Sequence, residues 1–226
     1  MSSIKENYLK VMEQIVKTAQ KAGRDPGEIK LVAVSKTVEV ARIKEAIEAG
    51  VSILGENYVQ EAQKKIDEIG RTVSWHFIGH LQSNKAKYAV HLFDMIHSLD
   101  SIALAEELNR RAEKEGRTMN AMIEVNLSGE ATKFGTEEAR AFDIARRVLN
   151  LSHLSLVGLM TMAPYFDDPE MSRPYYIRLR ELKEKMIKEG IPVKELSMGM
   201  SNDFEVAVEE GATYVRVGTA IFGERK

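Results

Sequence analysis

The residues best able to do covalent chemistry stand where short apolar runs end. Lys36 follows the run Leu31-Val-Ala-Val34, within Ser35-Lys36-Thr37. Side chains alternate along a strand, so Val32, Val34 and Lys36 share one face while Leu31 and Ala33 share the other. If the Val32 face lines the inside of a closed sheet, the Lys36 amine enters its mouth. Burial there lowers an ammonium pKa and leaves a nucleophilic amine, as Schiff-base chemistry requires. The plainer alternative is a strand-end lysine that reaches water. Near the C-terminus, Tyr214-Val-Arg-Val217 alternates in the same way. If Val215 and Val217 pack on helices, Arg216 points inward and needs an acceptor or an anion; here the alternative is a structural ion pair.

Two loops complete the set. Met198-Gly-Met-Ser201 leaves one apolar run and precedes a helical pattern at Phe204–Glu209, and Gly218-Thr219 leave the last run and open a short final helix. Each offers free backbone N–H groups and a hydroxyl at a helix N-terminus, which favours a phosphate. Ser201 also reads as an ordinary N-cap, and Gly218 as a tight turn. A condensing lysine, a phosphate cradle and an inward arginine together suit a phosphorylated aldehyde. Pyridoxal 5'-phosphate is the commonest cofactor of that description, and Arg216 fits the partner that its ring nitrogen needs.

These positions depend on a repeating rhythm. An amphipathic helix comes first, at about residues 3–23, with Ile4, Leu9, Met12, Ile15, Val16 and Ala19 on one side and a stop at Gly23. Strand patterns follow at Leu31–Val34, Ser52–Leu54, Val73–Ile78, Phe93–His97, Ala121–Val125, Ser155–Met160, Val193–Leu196 and Tyr214–Val217. Helical patterns lie between them, among them Val40–Ala49, Ser101–Glu115, Thr136–Leu149 and Ser172–Lys188. The last carries Ile177, Leu179, Leu182, Met186 and Ile187 on one side. Such alternation is the economy of a (β/α)8 TIM barrel, and near-continuous apolar strands suit a parallel sheet covered on both faces. An open doubly wound sheet is the rival, because a run as short as Ser52–Leu54 is a weak strand signal. In a barrel, function sits at the C-terminal strand ends, where Lys36, Ser201, Arg216 and Gly218 fall.

Composition narrows the classes. The 226 residues carry 32 Lys+Arg against 34 Asp+Glu, a net charge of -2, and no cysteine. That balance gives no electrostatic reason for a nucleic-acid or anionic membrane partner. The absence of cysteine removes thiolate catalysis, redox CxxC chemistry and thiolate metal sites. No apolar stretch approaches the length that spans a bilayer, and Met1–Lys10 lacks a signal-peptide core, so a cytoplasmic location is expected. The five prolines are scattered and no linker is visible, which implies one domain over residues 1–226. His76 and His80 form His-x-x-x-His, but in a strand-like segment without an adjacent glutamate, so no metal is expected. Asp167-Asp168 between Pro164 and Pro169 reads as a solvated loop able to act as a lid.

Seven blocks follow one another along the chain: Val34-Ser-Lys36, Gly55-Glu-Asn-Tyr-Val-Gln-Glu61, Trp75-His-Phe-Ile-Gly79, Leu81-Gln-Ser-Asn-Lys85, Gly158-Leu-Met160, Leu196-Ser-Met-Gly-Met-Ser201 and Val215-Arg-Val-Gly-Thr-Ala-Ile-Phe-Gly223. In these the chain closely resembles the pyridoxal phosphate homeostasis protein family, from about residue 5 to the C-terminus. The resemblance implies a single fold-type III barrel, related to the barrel domain of alanine racemase but without its second β domain. It implies an internal aldimine on Lys36 and a phosphate held by Ser201, Gly218 and Thr219 with the Met200 backbone nearby. It sets Arg216 against the pyridine nitrogen and Asn57 and His76 along the pocket.

An arginine cannot give up its proton, so it favours an unprotonated pyridine and weakens the ring as an electron sink. Racemisation remains chemically open, since Lys36 can serve one face of a carbanion. In the two-domain racemases the second base is a tyrosine from the β domain. The chain ends at Lys226, and none of its seven tyrosines matches that position in a shared motif. The expectation is therefore a monomeric, non-enzymatic barrel that holds the cofactor and supplies it to other enzymes, with apoenzymes as possible recipients. A pyridoxal phosphate-dependent amino-acid racemase is the first alternative. A Schiff-base aldolase on a sugar phosphate is the second.

Overall fold

Alternating apolar runs and amphipathic segments resolve into a closed barrel in this computed structural model, which describes residues 3–130 and 133–224. Strands β1 (Lys30–Val34), β2 (Ile53–Glu56), β3 (Ser74–Phe77), β4 (Met95–Leu99), β5 (Met119–Glu124), β6 (Leu154–Met160), β7 (Glu195–Ser197) and β8 (Tyr214–Val217) pair in chain order. β8 returns to pair in parallel with β1, Val217 opposite Ala33, which closes the ring and eliminates the open sheet. The weak signal at Ser52–Leu54 is a real strand, displaced toward Glu56.

Helices α1 (Ile4–Lys21), α2 (Val40–Glu48), α3 (Val59–Ile69), α4 (Ala86–Leu92), α5 (Ile102–Lys114), α6 (Glu138–Val148), α7 (Arg173–Lys188), α8 (Phe204–Glu209) and α9 (Thr219–Phe222) lie between or around the strands. α1 starts at a capping box, where Ser3 and Glu6 satisfy each other's backbone N–H. Its buried face is Ile4, Val11, Ile15, Thr18 and Ala19. Leu9, expected on that face, is half exposed because it lies well round the helix from Ile4. Ile187 at the end of α7 is likewise exposed, and Tyr176 takes its place on the buried side.

Strand alternation separates two layers. Leu31, Ala33, Val215 and Val217 face outward into the shell shared with the helices, while Val32, Met95, Met122, Met160 and Tyr214 fill the interior. Unbranched methionines suit that irregular space. The interior is thus packed at its centre and opens only at its ends, as barrel geometry dictates. No helix among the described residues is long and apolar enough to cross a membrane.

Candidate functional site

A cavity of about 250 Å³ opens at the C-terminal ends of the strands. Its wall brings together Lys36, Asn57, Met200, Ser201, Arg216, Gly218 and Thr219 from four different strand ends. Val34, Ile78 and Met162 make the wall apolar, and Tyr165, Phe166, Asn202 and Asp203 complete it. The proline-flanked loop expected to act as a lid therefore contributes its aromatic pair rather than its aspartates. Phe166 is tied to the loop after β7 by Asn202, whose side-chain N–H donates to the Phe166 carbonyl at 2.9 Å.

The loops after β7 and β8 are locked together by Ser201. Its Oγ accepts from Gly218 N at 3.1 Å and from Ala220 N at 3.4 Å. The expected N-cap role is corrected: α8 takes Asp203 as its N-cap residue, without a side-chain cap bond. Asp203 works elsewhere. One carboxylate oxygen accepts from Met200 N at 2.7 Å, the other from the Tyr176 hydroxyl at 2.6 Å and the Ser172 hydroxyl at 3.0 Å. Gly199 makes the preceding turn at φ +89°, and a Cβ there would stand 2.5 Å from Ala207 Cβ. The outcome is an edge that brings the Ser201 and Thr219 hydroxyls into the cavity wall, with the Gly218 and Ala220 N–H groups beside them already donating to Ser201 Oγ. That donor set matches a phosphate.

Arg216 is buried inside the barrel, and burial depresses its pKa. One terminal nitrogen donates to Ser197 Oγ at 2.6 Å and the other to the Thr161 carbonyl at 2.8 Å. These bonds fix the plane of the guanidinium at the cavity floor. Ser197 Oγ lies 2.9 Å from His97 Nδ1, and His97 Nε2 lies 3.0 Å from His76 Nδ1. Ser197 Oγ, which accepts from Arg216, thus begins a buried polar chain that runs from Arg216 through Ser197 and His97 to His76. Burial keeps both rings neutral: it pulls His76 down to about 4 and His97 well below the usual histidine range.

His76, expected to line the pocket, is therefore not in the cavity wall. The alternation along β3 turns it inward, with Trp75 and Phe77 outward, but it lies a layer beneath the mouth. His80 is apart from it, stacked on Phe134 at 4.0 Å and 3.5 Å from Asp100. Asp203 and the Tyr165–Phe166 pair are site residues that the sequence reading did not pick out. Asp203 carried one legible signal, its place two residues after Ser201 at the start of a helix.

A second chamber of about 540 Å³ shares Asn57, Ile78 and Met162 with the first. Asn57 Oδ1 is buried there without a hydrogen-bond partner among the described residues. Glu124, at the end of β5, lines this chamber. Burial pushes its carboxyl up to about 7, with Arg216 opposing and Asp100 adding to the effect. An unfolded glutamate titrates near its ordinary value, so between the two the folded chain holds the extra proton and stability falls as pH rises. Glu124→Gln is expected to raise the melting temperature more at pH 8 than at pH 5, a differential of about 2–3 kcal/mol. Thermal melts of both proteins at the two pH values check this; an equal effect at both would contradict it.

The family model described as alanine racemase, N-terminal domain, matches residues 4–226. The pyridoxal phosphate homeostasis protein of Aquifex aeolicus is 45% identical over 223 residues, spanning 98% of this chain and 98% of that protein. The structure of PipY from Synechococcus elongatus with pyridoxal phosphate bound is 38% identical with a TM-score of 0.83, covering 92% of this chain and 100% of that one. An alanine racemase of Clostridium difficile in complex with cycloserine, 15% identical with a TM-score of 0.71, covers 95% of this chain and 59% of that one, a likeness of fold alone.

Proposed function

This chain belongs to the pyridoxal phosphate homeostasis protein family, and from that premise we propose that it holds pyridoxal 5'-phosphate on Lys36 and takes part in intracellular supply of the cofactor. The carrying observation is the convergence of Lys36, Arg216 and the Ser201–Gly218 junction on one cavity. When bound, the cofactor supplies an electrophilic aldehyde carbon. Lys36 would hold that carbon through Nζ, and Ser201, Gly218 and Thr219, beside the Met200 backbone, would hold the phosphate. Arg216 would donate to the ring nitrogen through one of the N–H groups that its bonds to Ser197 and Thr161 leave over. Asn57 lines the edge. Binding of pyridoxal phosphate by PipY supports this assignment.

The titratable groups in the cavity wall, Lys36, Tyr165, Asp203 and Arg216, support holding rather than turnover. Arg216 does not release its proton. Asp203 is consumed by Met200, Tyr176 and Ser172. Tyr165 is 75% exposed, in solvent rather than held over the cavity as a second base must be. A racemase needs such a base on each face. We infer a non-enzymatic, monomeric protein of one domain over residues 1–226, working in the cytoplasm and handing the cofactor to apoenzymes.

Cofactor transfer tests this reading. The loaded protein is mixed with the apo form of a pyridoxal phosphate-dependent enzyme, alongside an equal amount of free cofactor. Recovery of the recipient's activity, dependent on Lys36 for loading, is the expected result. Lys36-dependent exchange of amino-acid α-protons at enzyme-like rates would overturn it in favour of a racemase.

A further inference from the structure

Lys36 stands between two residues whose backbones are tied to the same helix. Lys65, in α3, has a side chain only 7% exposed and spends its ammonium on three acceptors. These are the Ser35 carbonyl at 2.6 Å, Glu56 Oε1 at 2.8 Å and Glu61 Oε1 at 2.7 Å. Glu61 Oε1 also accepts from Thr37 N at 2.5 Å, and Ser35 Oγ donates to Glu56 Oε1 at 2.6 Å. The residue before Lys36 and the residue after it are thus both anchored by the Glu61–Lys65 pair.

Thr37 shows why an anchor is needed. It has φ +61° and is the one non-glycine residue with positive φ among the described residues. A β-branched residue is strongly disfavoured there and stays only where its surroundings over-determine it. A buried ion cluster is a poor source of net stability, and its best-attested use is to fix registry. We propose that Glu61 and Lys65 are positioning residues for Lys36: they hold the turn between β1 and α2 so that the lysine amine projects into the cofactor cavity. This rests on the cofactor reading above. Without the anchor Thr37 relaxes to negative φ, which rotates the peptide that follows Lys36. The amine then meets the aldehyde less often in the geometry that forms the C–N bond and expels water.

The test follows the visible absorption of pyridoxal phosphate bound to the protein, in wild type, Lys36→Ala, Glu61→Ala, Glu61→Gln and Thr37→Pro, with melting temperatures beside the rates. Glu61 is partly exposed and Thr37 exposed, so both sites tolerate change without loss of core. Glu61→Ala is expected to load about fivefold more slowly, the effect of one ordinary hydrogen bond. Glu61→Gln keeps an oxygen for Thr37 N–H and should load like wild type. Thr37→Pro keeps both charges but has no N–H and a fixed negative φ, so it should load at least as slowly as Glu61→Ala. Wild-type rates in Glu61→Ala or Thr37→Pro would overturn the proposal, as would Glu61→Gln loading as slowly as Glu61→Ala. If wild type shows no absorption that Lys36→Ala removes, it is the cofactor reading that fails.

Discussion

Lys36→Ala is expected to give a folded barrel that shows no visible absorption band with pyridoxal phosphate. The side chain is half-buried at the cavity rim rather than packed in either apolar layer, so its removal costs little core. The bonds from Gly218 N and Ala220 N to Ser201 Oγ join the loops after β7 and β8 without Lys36, so the Ser201–Gly218 junction is expected to persist in the variant. The cofactor is then retained weakly and without a covalent bond, and it washes away on gel filtration. Spectra and melting curves of wild type and variant check this. A band of wild-type strength in the variant would place the bond on another lysine, Lys85 beside the second chamber being one that lines a cavity.

Arg216→Met carries the next largest effect. The substitution keeps length and apolar volume but removes the donors that reach Ser197 Oγ and the Thr161 carbonyl, and with them the donor proposed for the ring nitrogen. Hydrogen bonds to a charged group are strong, so the cofactor dissociation constant is expected to rise about 10- to 100-fold. Ser197 and Thr161 lose buried partners, so the melting temperature falls as well. Arg216→Lys should recover little of the affinity, because a point charge cannot reproduce a planar fork with two fixed partners. Titration of each variant with the cofactor measures it; affinity within a factor of about two of wild type in Arg216→Met would contradict the assignment.

The two residues with the clearest roles were the most legible in the sequence, for one reason. Both extend an alternating strand, so the period of two states which way they point: Val32 and Val34 announce Lys36, and Val215 and Val217 announce Arg216. His76 was set along the pocket by the resemblance alone, which says nothing of depth, and that residue is not in the cavity wall. Ser201 was recognised by its place before a helix, yet its hydroxyl turns across to the backbone after β8, a contact that only the closed ring creates. Asp203 and Lys65 organise the site from behind it. Each has one near partner, Met200 for Asp203 and Glu61 for Lys65, but their bonds to Tyr176 and Ser172 and to Ser35 and Glu56 cross to other elements, and no local pattern encodes those. Leu9 shows the corresponding error on a helix, where an apolar residue was assigned to a face that its angle does not reach.

The most direct test of the central claim is to locate the covalent bond. The protein loaded with pyridoxal phosphate is reduced with borohydride, digested and mapped by mass spectrometry. The account predicts the phosphopyridoxyl mass on the peptide that carries Lys36, at close to one per chain. A modified Lys85, or any other lysine, with Lys36 unmodified would contradict it.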